Sequence, residues 1–270
     1  MRKSDPDETA GETSPTRGRG GVQSLERAFL LLEEMADAGG IIGLSQLAER
    51  SELPLATIHR LIRSLVDLGY VRQESNRQYS LGPRLLRLAA ESATRIGTIA
   101  DPLLTAAVAE LGESVNLALL DGDEIVYVAQ SQPRGNLMRM FTEVGRRTHP
   151  HSTAVGKAIL AQRPDAEITA LLSRTGMPSH TPTTLTTPED FLQVIDRVRE
   201  VGHATDEGEQ EVGVRCVAVA VPGAPRPMGL SMSGPTTRMD DATVDRGARV
   251  LHRVAAQLAD ELRGGTVLLG

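Results

Sequence analysis

The stretch Leu55 to Leu68, LATIHRLIRSLVDL, carries side chains of the kinds that hold nucleic acid. Ala56, His59, Arg60 and Arg63 fall on one side of a helical repeat, with Thr57 at its edge. Ile58, Leu61, Ile62, Leu65 and Leu68 form the apolar stripe on the other side. Guanidinium groups hydrogen-bond phosphates and base edges, so His59, Arg60 and Arg63 are candidates for base or phosphate contact. A few residues later, Arg72 and Arg77 lie in a hairpin pattern, Tyr70-Val71-Arg72 and Gln78-Tyr79-Ser80 about the tip Glu74-Ser75-Asn76-Arg77. From there they would reach phosphates or the minor groove. This is the chemistry of duplex DNA recognition.

These side chains need a scaffold, and the flanking sequence supplies one. A helix is expected from Ser45 as N-cap, with Leu47 and Ala48 as its apolar contacts. Ser51-Glu52-Leu53-Pro54 breaks it, because Pro54 disfavours helical geometry before it yet suits a helix start. Gly69 ends the basic helix. An earlier helix from Ser24, with Leu25, Phe29, Leu32 and Ala36 on one face, stops at Gly39-Gly40 and completes a three-helix core. Any helical protein can place arginines on the wet face of a Pro-separated helix pair. The order of small helix, turn, basic helix and hairpin argues instead for a winged helix-turn-helix.

A net charge of −6 over 270 residues seems to oppose DNA binding until it is localised. Between Leu53 and Arg95, seven arginines face three acids, a local excess of four positive charges. Phosphate attraction acts over roughly one Debye length, about 8–10 Å, so the contacting face decides and the total does not. Aromatic content of 2% excludes stacking platforms for single strands. Cys216 is the only cysteine, which rules out an intrachain disulfide and a cysteine-cluster metal site. No signal peptide, lipidation motif or long apolar run is present, so the cytoplasm is the expected compartment, with no membrane partner.

Enzyme chemistry finds little support. Gly156-Lys157-Ala158 lacks the preceding glycine and following Ser/Thr of a phosphate loop. Gly229-Leu230-Ser231-Met232-Ser233 places a serine where a nucleophile elbow requires glycine. His149 and His151, with distant His203, are a weak metal pattern, and they read better as loop and helix-start residues. No cofactor is expected, and a small-molecule hydrolase is only a distant alternative.

Four regions follow along the chain. Residues 1–20 are polar and expected to be a disordered arm, with Arg17 and Arg19 able to lie in a minor groove; 21–82 are the winged head. Residues 83–98 form a linker helix with Leu85, Leu88 and Ala89 as its stripe, its partner a symmetry mate. Residues 99–265 change character. Asp101 to Leu111 is helical, and Val115–Leu120, Ile125–Gln130 and Leu137–Phe141 are strands. Helices follow at Ala154–Leu160, Ile168–Ser173 and after the Thr187-Pro188 cap. Strands Arg215–Val221 and Met228–Ser233 and a long helix from Asp241 to Arg263 close an α+β domain around an antiparallel sheet.

Three segments of that domain are distinctive: HSTAVGKAILA at 151–161, GHATDEGEQEVGVRCVAVAVP at 202–222 and GLSMSGP at 229–235. With Gly202, Glu209, Gly213, Cys216 and Ala218 at their spacing, and with the winged head, the chain resembles the IclR family of bacterial transcription regulators. The resemblance implies a GAF-like effector-binding domain and a homodimer or tetramer on double-stranded operator DNA. It further implies repression of a small-carbon or nitrogen-source catabolic operon, released by a small carboxylate; activation or dual regulation is the alternative. It places Ala154, Val155, Asp206, Cys216, Ser231 and Ser233 around the effector. The chemistry agrees: a helix N-terminus seats a carboxylate, and Ser231 and Ser233 share one side of a strand. Asp206 could accept a ligand hydroxyl, although the acidic stretch of Glu207, Glu209 and Glu211 reads as a solvated loop. Ala154-Val155 stands where glyoxylate-responsive relatives carry a smaller Gly-Ala pair, which narrows the pocket.

Overall fold

The computed structural model describes residues 22–93, 96–134 and 142–264, and divides after Ala90 into two compact units. The expected arm, 1–20, and the expected strand Leu137–Phe141 lie outside the described residues.

In the first unit, α1 (Gln23–Asp37) precedes β1 (Ile41–Ile42), α2 (Leu44–Ser51) and α3 (Leu55–Asp67). Then come β2 (Val71–Gln73), β3 (Tyr79–Leu81) and α4 (Arg84–Ala93). The three short strands form one antiparallel sheet in the order β1-β3-β2. Leu31, Met35, Ile42, Leu47, Ile58, Leu61, Ile62, Leu65 and Val71 make the core. Glu52 takes a left-handed φ of 53° between α2 and α3, and Pro54 opens α3.

Three details depart from the sequence reading. Gly43, not Ser45, is the N-cap of α2, its amide donating to Gln46 Oε1 at 3.3 Å. In α1 the inward stripe is Leu31 and Met35, one turn apart, whereas Leu25 and Phe29 are each 57% exposed and Ala36 is exposed too. Leu68 is also exposed. The helix carries two apolar stripes, and only one can face the core. The second lines an open groove with Leu68, Leu85 and Leu88.

The second unit begins with α5 (Ile96–Leu111), five residues earlier than expected and with Pro102 inside it. Strands β4 (Ser114–Asp121), β5 (Glu124–Ser131) and β6 (Arg147–Thr148) lead to a 3-10 turn at Pro150–Ser152. Helices α6 (Ala154–Leu160), α7 (Asp165–Thr175) and α8 (Pro188–Val201) come next. Strands β7 (Ala204–Glu207), β8 (Val214–Ala220) and β9 (Met228–Pro235), then α9 (Asp241–Gly264), complete it. The sheet is antiparallel throughout, ordered β6-β5-β4-β9-β8-β7. Alternation along the strands splits the core into two layers. Val115, Leu117, Val217, Leu230 and Met232 pack under α5 and α9. Ala118, Leu120, Tyr127, Cys216 and Ala218 pack under α6, α7 and α8. Among the described residues no helix is long and apolar enough to cross a membrane.

Candidate DNA face and effector cavity

On α3 the core takes Ile58, Leu61, Ile62 and Leu65, which leaves Ala56, His59, Arg60 and Arg63 exposed and Thr57 half-buried. Arg72 is exposed on β2, and Arg77 sits at the hairpin tip with φ 65°. The tip is braced by its own side chains: Gln78 N–H donates to Asn76 Oδ1 at 3.0 Å and Asn76 Nδ2 to Gln78 Oε1 at 2.6 Å. Neighbouring cations are committed within the unit. Arg50 pairs with Glu34 at 2.7 Å, and Arg84 donates to Leu68 O at 2.9 Å while its guanidinium lies over the Tyr70 ring. Arg60, Arg63, Arg72 and Arg77 make no ion pair among the described residues, so their donors stay available to an outside partner.

In the second unit, Thr153 caps α6 by accepting the Gly156 N–H at 3.1 Å, and every residue of α6 is buried. Gly156 is required there, since a Cβ would collide with the Pro150 backbone. The start of α6 faces β8 and β9 across a small cavity lined by Ala154, Val155, Asp206, Cys216, Ser231 and Ser233. All six residues implied by the resemblance therefore meet in one place. In its present form a water centre can reach about 20 Å³ within a hollow of about 350 Å³, room for roughly one water.

Backbone register explains the convergence. Cys216 pairs with Asp206 on one side and Ser233 on the other, and Ser231 pairs with Asn116. Asn116 Nδ2 lies 3.3 Å from both serine hydroxyl oxygens, leaving their own protons for other acceptors. Gln130 Nε2 donates to Asn116 Oδ1 at 2.8 Å and so fixes the amide orientation. Asp206 is not in a solvated loop: it lies on β7, is 2% exposed, and its Oδ1 accepts the Glu209 N–H at 2.6 Å. Pairing of β7 with β8 draws the acid into the interior. Burial pushes its carboxyl up to about 7, against the backbone amide of Glu209 and the field of Lys157. Burial and then Asp206 raise the Cys216 thiol well above its ordinary range, so it stays protonated and is no nucleophile.

A network of hydrogen bonds holds the loop after β7 at Gly208, Glu209 and Gln210. Lys157 Nζ donates to Glu209 Oε1 at 2.5 Å and to Thr205 O at 2.9 Å. Thr181 and Thr184 donate to Gly208 O and Glu209 O at 2.7 and 2.6 Å. Ser152 and Thr148 hydroxyls donate to Gln210 Oε1 at 2.6 and 3.0 Å.

Both units match known proteins. The model "IclR helix-turn-helix domain" covers residues 24–75, and "Bacterial transcriptional regulator IclR C-terminal" covers 89–260. The chain belongs to the IclR family. It is 33% identical to the "Acetate operon repressor" of Salmonella typhimurium, over 95% of each chain. It is 33% identical to the "Transcriptional repressor IclR" of Escherichia coli, over 88% of this chain and 89% of that one. Among solved structures, an IclR transcriptional regulator from Alicyclobacillus acidocaldarius superposes with TM-score 0.74 at 27% identity, covering 89% of this chain and 98% of that one. As an IclR-family member the protein is a DNA-binding, effector-responsive transcription regulator and not an enzyme.

Several residues around this IclR cavity escaped the sequence reading. Tyr127, Thr142, Gln210, Glu211 and Val214 also line it, and Asn116 supports it from β4. Two signals were present: Asn116 interrupts an otherwise apolar strand, and Lys157 sits alone in an apolar helix. His149 and His151 sit where the loop and helix-start reading puts them, just before and within the 3-10 turn Pro150–Ser152. His149 and His151 meet His180, with ring centroids 5.6 to 6.0 Å apart, and His203 is near His252 instead. His151 Nε2 faces Pro178 O at 3.1 Å, and burial pushes the ring down to about 4, keeping it neutral. No three His, Cys, Asp or Glu among the described residues form a metal-holding group.

Proposed function

We propose that the protein is a repressor of a small-molecule catabolic operon, released from its operator when a small carboxylate occupies the cavity at the start of α6. The observation that carries this reading is the cavity itself. It joins the free N–H groups at the start of α6, at Ala154 and Val155, to the hydroxyls of Ser231 and Ser233. The sign, repression, is supported by the printed names of the relatives, which include an acetate operon repressor and a repressor named AllR. A homodimer or tetramer would set two α3 helices in successive major grooves about 34 Å apart. His59, Arg60 and Arg63 then contact bases or phosphates from α3, with Ala56 and Thr57 beside them and Arg72 and Arg77 on the flanking backbone. The present cavity holds about one water, so a ligand of several heavy atoms has to displace the wall at Gln210 and Glu211. That displacement gives it the differential affinity a switch needs, typically about 1–3 kcal/mol of coupling.

The test uses a duplex selected from a random library by the purified protein. Fluorescence anisotropy follows its release by glyoxylate, pyruvate and benzoate, with thermal melts alongside. A ligand at 100 times its dissociation constant should stabilise by about 2.7 kcal/mol and release the duplex. Binding of a carboxylate that leaves DNA affinity untouched sinks the repressor-release reading.

A further inference from the structure

A row of polar side chains crosses the sheet toward the cavity. Gln130 on β5, Asn116 on β4 and Ser231 on β9 are paired positions on three neighbouring strands, so their side chains stand on one face. The hydrogen bonds along this row all run in one direction, and a backbone group sets it. The carbonyl oxygen of Thr142 can only accept, so the Gln130 atom 2.8 Å from it is the Nε2 amide nitrogen. The Thr142 hydroxyl oxygen lies 2.8 Å from the same nitrogen, and Gln132 Nε2 donates to Gln130 Oε1 at 2.6 Å, both in keeping with that orientation. Gln130 therefore presents a donor to Asn116, which meets it with Oδ1 at 2.8 Å. The Nδ2 group of Asn116 then faces β9, with the hydroxyl oxygens of Ser231 and Ser233 each at 3.3 Å. All three residues are buried, so water does not compete for these bonds. Each serine carries one proton and directs it away from Asn116. Ser233 sits beside the Cys216 sulfur, a weak acceptor that a ligand oxygen outcompetes.

We propose that Gln130 and Asn116 are positioning residues for effector recognition, holding the Ser231 and Ser233 hydroxyls as donors so that the β9 side of the cavity reads a hydrogen-bond acceptor. The group it fits is an oxygen with lone pairs and no proton, as in a carboxylate or a ketone. This rests on the carboxylate reading above and adds what decides the polarity of its receptor. Both amides stand behind the serines, which are the residues that line the cavity. With Asn116 turned the other way, its Oδ1 would draw the serine protons to itself. The cavity would then meet serine lone pairs, which repel a carboxylate oxygen.

The experiment is isothermal titration calorimetry of the full chain with pyruvate, glyoxylate and benzoate. Four proteins are compared: native, Gln130→Met, Ser231→Ala/Ser233→Ala and the combination of all three substitutions. Gln130→Met keeps the length and neutrality of the side chain and removes the donor that orients Asn116. It should weaken binding of the acid by about ten-fold, the contribution of roughly one hydrogen bond to a charged acceptor. In the serine-free background the same substitution should change affinity by less than about two-fold, because no hydroxyl is left to orient. A glutamine with only a structural role would cost as much in both backgrounds. Equal losses therefore overturn the proposal, and so does native affinity in Gln130→Met. Neutron diffraction from deuterated crystals of the native chain reads the orientation without any substitution, and decides alone if a variant fails to fold or binds too weakly to measure. The Asn116 deuterons should point at the two serine oxygens; Oδ1 found facing the serines overturns the proposal. Failure of all three acids to bind the native chain overturns the carboxylate reading beneath it, whereas binding with equal losses in both backgrounds overturns the positioning role alone.

Discussion

Lys157→Met removes a buried ammonium and leaves its partner behind. Lys157 is 1% exposed, its nitrogen lies 2.5 Å from Glu209 Oε1, and Glu209 is buried with it. At an effective dielectric of about 20 and charge centres about 4 Å apart, the lost attraction is about 4 kcal/mol. Breaking one side of a buried pair generally costs about 3–5 kcal/mol, because the remaining charge is uncompensated. Methionine fills most of the aliphatic volume, so cavity formation adds little. Urea denaturation of Lys157→Met should therefore show a loss of about 3 kcal/mol or more. The double variant Lys157→Met/Glu209→Leu should recover most of the loss, since an apolar pair of similar volume carries no desolvation cost. A single-variant loss below about 1 kcal/mol, unchanged in the double variant, would refute the view that this pair anchors the cavity wall.

Arg63→Ala should weaken operator binding, lower the slope of log affinity against log salt by about 1 and leave the melting temperature unchanged. An unchanged salt slope removes Arg63 from the phosphate interface. Gly156→Ala forces the new methyl group into the Pro150 backbone and should destabilise by about 1–3 kcal/mol. Because Ala154 and Val155 start the same helix, ligand affinity measured calorimetrically should fall with it. Full stability in the Gly156→Ala protein would show that the 3-10 turn yields without cost.

Much of the DNA face was legible because it is local. The apolar period of Ile58, Leu61, Ile62 and Leu65 orients α3, and orientation alone decides that His59, Arg60 and Arg63 face water. Caps and turns at Pro54, Gly69 and Thr187 acted within a few residues of where they were read. Alternation put Ser231 and Ser233 on one side of β9. Local pattern failed where two answers satisfy the same period. In α1, Leu25 and Phe29 repeat as helically as Leu31 and Met35, and only packing against α2 and α3 chose the second stripe.

The cavity chemistry was least legible, because its partners are far apart in the chain. Lys157 meets Glu209 across 52 positions, and Asn116 meets Ser231 across 115. From the chain alone Lys157 was a failed phosphate-loop lysine and Asp206 one acid among several. The sequence by itself settled the main helices and the longer strands, the wet face of α3, and through its motif the family. Tertiary structure decided which acid is buried and which cation is already taken. Burial and charge pairing are properties of packed elements, and no short-range pattern encodes them.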